Sequence, residues 1–247
     1  MNIFVTLDRN YLNPLKVMLG SLFLNNSGQK FDIYLAASGI QHEDLNGLKR
    51  LNFGGEVNYH FLEIQDEWFE DAPVGRYYSK AMYYRLLAAQ ILPDSLDRAL
   101  YLDPDILVIN RINALYDMDL GEKLYAAAMH KGVIGISAPL SKMRLPDYDA
   151  DEYFNSGVLM MNLQKIREDV KAHDIFEYVR KNAQALLLPD QDVLNGLYAS
   201  RIQPIDESIW NYDARKYSSY IVSSQGEADL DWIIQNTVFL HFCAKKL

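Results

Sequence analysis

Short apolar runs alternate with helix-spaced apolar positions through the first 110 residues. Asn2 to Leu7 is apolar and ends at the polar corner Asp8-Arg9-Asn10; Leu15, Met18, Leu19, Leu22 and Phe23 then recur at helical spacing within Leu12 to Leu24. This predicts strand, loop, helix. Phe31 to Ala37 predicts a second buried strand, His42 to Leu51 a helix with Leu45, Leu48 and Leu51 on one face, and Val57 to Ile64 a third strand. Lys80 to Leu92 is the clearest helix, stopped by Pro93, and Arg98 to Leu102 runs as a strand straight into Asp103-Pro104-Asp105. Alternation of this kind predicts an α/β fold with a mostly parallel central sheet flanked by helices.

The second half is less regular. Leu124 to Met129 predicts a strand, and His130 to Asp151, with its Gly, Pro and Lys residues, reads as a long mobile loop. Phe154 to Leu163 returns to strand character, Asp174 to Ala185 is helical, Asp192 to Tyr198 is a short helix after Pro189, and Val238 to His241 is a last apolar strand. No internal repeat or linker interrupts the chain, so residues 1–247 read as one domain with halves 1–110 and 111–247. At 247 residues the core needs neither disulfides nor a structural metal.

Charge and cysteine content narrow the partners. With 24 Lys+Arg against 33 Asp+Glu the net charge is −9, which argues against an electrostatic grip on nucleic acid. The single cysteine, Cys243, forms neither an internal disulfide nor a multi-cysteine zinc pattern. The N-terminus MNIFVTLDRNYL has no cationic segment ahead of an apolar run, and no stretch has the length of a membrane span, so a soluble cytoplasmic protein is expected.

The sharpest candidate chemistry is Asp103-Pro104-Asp105 between the apolar segments Tyr101-Leu102 and Ile106-Leu107-Val108. In extended chain the two carboxylates point to the same side and can meet one cation, of the Mg²⁺ or Mn²⁺ type. The competing reading is a plain Asp-Pro turn. Apolar flanks favour a ligand site at the carboxyl edge of a buried strand. A phosphate oxygen beside a carboxylate is repelled by about 4 kcal/mol at an effective dielectric near 20, so a diphosphate would need a bridging divalent ion. His241 could add an imidazole ligand and shift the preference to Mn²⁺; packing or capping is its alternative role. No G-x-G-x-x-G, P-loop or G-x-S-x-G motif is present.

Other segments set polar groups in apolar frames. Asn155, Ser156 and Gly157 open a strand; Asp190, Gln191 and Asp192 sit at a helix start, where an N-cap run competes with hydrogen bonding to sugar hydroxyls. Arg85 lies among apolar helix neighbours, either as a solvated helix-face residue or with its tip at the strand ends, and Asp8, Asn10 and Tyr11 follow the first strand, where α/β proteins receive a nucleotide, with Tyr11 either stacking on a base or packing on the following helix. Trp68, Tyr77, Tyr78, Trp210, Tyr212 and Tyr217 are either a saccharide platform or ordinary packing.

LDRNY near the start, then YYRLL, YLDPDILV, YFNSGVLMMNL, LPDQDVLNGLY and a terminal HFC, in that order, resemble glycosyltransferase family 8, which includes bacterial lipopolysaccharide α-galactosyl- and α-glucosyltransferases and glycogenin. The resemblance implies a GT-A fold, with a Rossmann-like nucleotide-binding half (1–110) and an acceptor- and sugar-binding half (111–247). It implies retaining transfer of galactose or glucose from a UDP-sugar to a saccharide or lipid-linked saccharide acceptor, with Mn²⁺ and Mg²⁺ as the alternative ion. On this pattern Asp103, Asp105 and His241 bind the metal; Asp8, Asn10 and Tyr11 contact uracil and ribose; Arg85, Asn155, Asp190 and Gln191 surround the donor sugar. Gln191 occupies the position beside the anomeric carbon, which favours same-face attack, with Asp190 the alternative nucleophile. One departure stands out: Ala244 and Leu247 occupy positions where the family has Gly and a diphosphate-gripping Lys, and Lys245 and Lys246 are the nearest substitutes. Relatives often carry a basic amphipathic C-terminal segment, implying peripheral contact with the inner face of the membrane through such a tail. A sugar-nucleotidyltransferase, or a non-catalytic sugar-nucleotide or glycan-binding protein of the same fold, are the other readings.

Overall fold

The computed structural model describes residues 1–8, 11–38, 46–48, 50, 55–62, 64, 69–70, 72–73, 81–129 and 152–243. In chain order the elements are β1 (Asn2–Asp8), α1 (Leu12–Asn25), β2 (Lys30–Ser38), β3 (Glu56–Leu62), α2 (Ala81–Leu86), α3 (Ala88–Ile91), β4 (Arg98–Leu102), β5 (Ile106–Val108) and α4 (Asn113–Tyr116). Next come β6 (Tyr125–Met129), β7 (Phe154–Asn162), α5 (Leu163–Asp169), α6 (Ala172–Asn182), α7 (Pro189–Tyr198) and β8 (Ile202–Asp206). The remainder is α8 (Glu207–Trp210), β9 (Tyr212–Asp213), α9 (Tyr217–Ser223), α10 (Leu230–Asn236) and β10 (Phe239–His241).

The strands read as near-continuous apolar runs because both faces of the main sheet are buried. Ile3, Val5, Ile33, Leu35, Leu100 and Leu102 face α1, against Leu15, Met18, Leu19 and Leu22. The alternate positions Phe4, Tyr34, Ala36 and Tyr101 face the other way and join the helical residues Tyr83, Ile166, Val179 and Val193. A one-residue slip of any central strand would exchange these two sets, so the register is strongly specified.

The seven-stranded sheet has the order β3-β2-β1-β4-β7-β6-β8. Pairs β1·β2, β2·β3, β1·β4 and β6·β8 are parallel. Strand β7 is antiparallel to both its neighbours. This reversal brings the start of β7 beside the end of β4, with Leu102 opposite Val158 and the Asp103 N–H donating to the Gly157 carbonyl at 2.8 Å. The chain leaves β1 on one side toward β2 and β3 and returns on the other as β4, a switch of direction where α/β sheets form ligand crevices.

A second sheet, β5-β10-β9, stands apart from the first. In it β10 runs antiparallel to β5, with His241 opposite Ile106, and parallel to β9, with His241 opposite Asp213. Residues nearly 140 positions apart in the sequence are thereby set side by side.

Several boundaries differ from the sequence expectation. The helix expected over Lys80 to Leu92 is two pieces, α2 and α3, because Leu87 leaves helical geometry at ψ 24°. Strand β3 ends at Leu62 rather than Ile64, and α7 begins at Pro189, which occupies the first turn where its missing N–H costs nothing. Strand β8 has no counterpart among the expected elements, and its Pro204 is tolerated because β8 is the sheet's edge. Of the expected helix His42 to Leu51, residues 46–48 are helical and the others, Arg50 apart, lie outside the described residues, as does the whole of the expected loop His130 to Asp151.

Helices α6 and α7 meet where Gly196 faces Tyr178, and a Cβ on Gly196 would overlap the Tyr178 hydroxyl and ring. Gly to Ala inside a helix ordinarily stabilises by about 1 kcal/mol. Here we expect Gly196→Ala to destabilise by about 1–3 kcal/mol through overpacking. Urea unfolding tests this, and a variant as stable as the parent chain would contradict the packing described.

Candidate functional site

A cleft of about 500 Å³ opens where the end of β4, the start of β7, the first turn of α7 and the small sheet converge. Asp103, Asp105, Asn155, Asp190, Gln191 and His241 all line it, with Arg85 reaching in from α2. Asp103 and Asp105 bracket the turn between β4 and β5. His241 arrives on β10, whose pairing with β5 continues past the strand: the Phe242 N–H donates to the Asp105 carbonyl at 3.1 Å. The turn expected of Asp-Pro-Asp is present, and it sets both carboxylates on the cleft wall.

One ligand atom from each of Asp103, Asp105 and His241 lies within 4.8 Å of the others. The His241 Nε2 is 3.2 Å from Asp105 Oδ1 and 3.8 Å from Asp103 Oδ2. Asp103 divides its labour: Oδ1 accepts from the Tyr101 hydroxyl at 2.6 Å and from Arg85 Nη2 at 2.9 Å, which leaves Oδ2 directed to the cluster. Two carboxylate oxygens and an imidazole nitrogen form a donor set that suits Mn²⁺ or a similar divalent ion. Gly157 belongs to this cluster by its lack of a side chain, since a Cβ there would overlap His241 Cε1 and lie 2.7 Å from Asp103 Oδ2.

His241 is buried, and burial opposes a charged ring. Its hydrogen bond to Asp105, a further contact with Cys243 and the charge of Asp103 outweigh that and push the imidazole up to about 10. The same contact more than offsets the effect of burial on Asp105 and holds its carboxyl below the ordinary range. On the other edge of the ring Nδ1 donates to Asn211 Oδ1 at 2.8 Å. A ring held this way offers Nε2 to the cluster once its proton is displaced.

Arg85 is the electrostatic keystone. It spans Asp103 and Asp190, with Nη1 2.8 Å from Asp190 Oδ2, and its guanidinium lies 4.7 Å from the centre of the Tyr101 ring. Burial would lower its pKa, but the charges of Asp103 and Asp190 raise it above the usual value. The Ser156 hydroxyl donates to Asp190 Oδ2 at 3.0 Å. Gln191 accepts from the Ser156 N–H at 3.4 Å, while its buried Nε2 and the Arg85 Nε have no hydrogen-bond partner among the described residues.

The glycosyl transferase family 8 model matches residues 2–246. The chain belongs to glycosyltransferase family 8. Among its relatives, General stress protein A of Bacillus subtilis is 26% identical, covering 98% of this chain and 85% of that protein. The lipopolysaccharide 1,2-glucosyltransferase of Escherichia coli K12 is 29% identical over 80% of this chain, and the match spans 58% of that enzyme's length. Among solved structures, galactosyltransferase LgtC in complex with donor and acceptor sugar analogs superposes with a TM-score of 0.80 at 25% identity, covering 99% of this chain and 87% of LgtC. The fold is accordingly the GT-A fold of this family.

The family motifs fall at different distances from the cleft. Asp8 ends β1 opposite Ser38, and Tyr11 stands at the N-cap position of α1, makes no side-chain cap there and packs on the apolar core; Asn10 lies outside the described residues. The N-cap of α7 is Leu188, with no side-chain cap, so Asp190, Gln191 and Asp192 lie inside the helix; Asp192 reaches back to accept from the Leu187 and Leu188 N–H groups and from the Tyr153 hydroxyl. Asn155 accepts from the Gly157 N–H at 2.7 Å, holding the strand entry. Trp210 packs on Phe239 and Tyr212 on Tyr220, so these two are packing residues; Trp68, Tyr77 and Tyr78 lie outside the described residues. Sequence reasoning missed Asn211, Glu207, Asp213, Arg215 and Lys216, which line the cleft wall. The short segment that carries them has no periodicity to announce it.

Asn211 fixes the orientation of His241, and losing such a partner costs a ligand about 10–100-fold in metal affinity. We expect Asn211→Leu to weaken Mn²⁺ binding by that order while the fold persists. Electron paramagnetic resonance titration of free Mn²⁺ measures it; an unchanged affinity would contradict the orienting role.

Proposed function

We propose that this chain is a retaining hexosyltransferase that moves galactose or glucose from a UDP-sugar to a hydroxyl of a saccharide or lipid-linked saccharide, with Mn²⁺ held by Asp103, Asp105 and His241. The observation that carries the reading is the meeting of those three side chains on the wall of the same cleft that holds Arg85, Asp190 and Gln191. The chain is read as one catalytic unit, 1–247, working in the cytoplasm or at the inner face of the membrane. Among the described residues no helix is long and apolar enough to cross a membrane. Family membership leaves the sugar-nucleotidyltransferase reading without support. Turnover separates a transferase from a binding protein of the same fold.

The bound ion would supply Lewis-acid charge to the diphosphate as the glycosidic bond breaks. The protein's own groups do the rest. Asp8, Asn10 and Tyr11 are proposed to receive uridine. Asn155, Asp190, Gln191 and Arg85, which line the cleft, surround the hexose. Asp190 Oδ2 already receives the Arg85 and Ser156 protons, and a carboxylate oxygen so engaged is a weakened nucleophile. We therefore favour same-face attack. The acceptor hydroxyl bonds to the anomeric carbon from the side that UDP leaves, and its proton passes to the departing phosphate oxygen. Gln191 keeps a carbonyl lone pair facing the cationic sugar.

With Mn²⁺ present, the chain is expected to release UDP from UDP-galactose or UDP-glucose, faster with a saccharide acceptor. Removing electrostatic stabilisation of a leaving group costs on the order of 10²–10³ in rate. Asp103→Asn with Asp105→Asn should lose at least that much in kcat/KM. Absence of UDP release across both donors, or full activity in the doubly substituted chain, would overturn the proposal.

A further inference from the structure

Five carboxylates line the cleft among the described residues (Asp103, Asp105, Asp190, Glu207 and Asp213) against three basic side chains, Arg85, Arg215 and Lys216. Arg85 is committed between Asp103 and Asp190. Arg215 and Lys216 are the basic groups with their charge turned to solvent, their side chains 59% and 40% exposed. Both stand on buried acids. Arg215 makes a two-point contact with Asp213, Nε to Oδ1 at 2.9 Å and Nη2 to Oδ2 at 2.8 Å. Lys216 is 3.4 Å from Glu207 and 3.9 Å from Asp213.

The anchor itself is held on several sides. Asp213 is buried, its carboxylate also accepts the Arg215 backbone N–H at 3.0 Å, and β9 holds it in register beside His241 on β10. Neighbouring strands lie about 4.8 Å apart. A guanidinium clamped by two of its five N–H groups keeps the others, Nη1 included, for a second partner, and its fork matches phosphate oxygens. Exposed pairs of this kind contribute little to stability on their own.

We propose that Arg215, with Lys216 beside it, is a phosphate subsite that grips the diphosphate of the nucleotide from the β9 side of the Asp103/Asp105/His241 cluster. This rests on the donor assignment above and adds to it the residues that offset the acidity of the cleft. Anchoring by Asp213 and Glu207 fixes the two cations in place before the anion arrives, so little side-chain order has to be gained on binding. As the sugar leaves, the charge that develops on the phosphates falls within reach of an arginine that never loses its own.

The test compares the full chain with its Arg215→Gln, Lys216→Gln variant, measuring UDP affinity by calorimetry at saturating Mn²⁺ and Mn²⁺ affinity alone by paramagnetic resonance. Both positions are exposed, and equal thermal midpoints will verify that the variant folds; Arg215→Lys should retain an intermediate affinity. The expected result is a loss of at least tenfold for UDP, larger at low salt, with Mn²⁺ binding unchanged. Unchanged UDP affinity would overturn the subsite and leave the donor assignment standing, and so would an effect confined to the acceptor KM, which would place the cations on the acceptor. No UDP binding by the parent chain would overturn the donor assignment and the subsite together.

Discussion

Negative charges gathered at the end of a buried strand must be answered by positive ones, and this requirement shapes the whole site. Asp103 and Asp105 leave β4 within one turn, and Asp190 approaches from α7. Arg85 answers part of the charge by spanning Asp103 and Asp190, and protonated His241 answers more through Asp105. What stays open is Asp103 Oδ2 beside His241 Nε2, a place for a cation whose arrival displaces a proton. Aqueous carboxylates would simply drift apart; here strand ends and a guanidinium hold them together.

The topology exists to make that gathering possible. Reversal of β7 lays Asn155, Ser156 and Gly157 along the end of β4, and the absence of a side chain at Gly157 leaves the room that His241 and Asp103 occupy. The small sheet does the remaining work by drawing β10 to β5 and β9 to β10. One wall of the cleft is thus built from residues 207–216 and 241–243, far from β1–β4 in sequence, and it carries its own acidic and basic pairs.

How much of this could be read beforehand depends on the kind of signal each part sends. Buried parallel strands such as Phe31 to Ala37 announce themselves as apolar runs, and α1 by its helical spacing, because burial imposes those periods. The family motifs marked Asp103, Asp105, His241, Arg85, Asp190 and Gln191, and the fold brings these six to one cleft. Strand β8 stayed hidden because an edge strand tolerates Pro204, and the break at Leu87 leaves no trace in composition. Asn211 and the Asp213–Arg215 pair were invisible for a different reason. Their meaning comes from pairing between β9 and β10, a contact across nearly 30 residues that no local pattern encodes.

The central claim is that one divalent ion sits between His241 and the two aspartates and at the same time touches the diphosphate. Pulsed electron paramagnetic resonance on the full chain with Mn²⁺ and UDP addresses it directly. A single Mn²⁺ population showing both a ¹⁴N coupling, lost in His241→Ala, and a ³¹P coupling is the predicted result. A ³¹P coupling without any nitrogen, or Mn²⁺ that remains fully hydrated beside saturating UDP, would contradict the account.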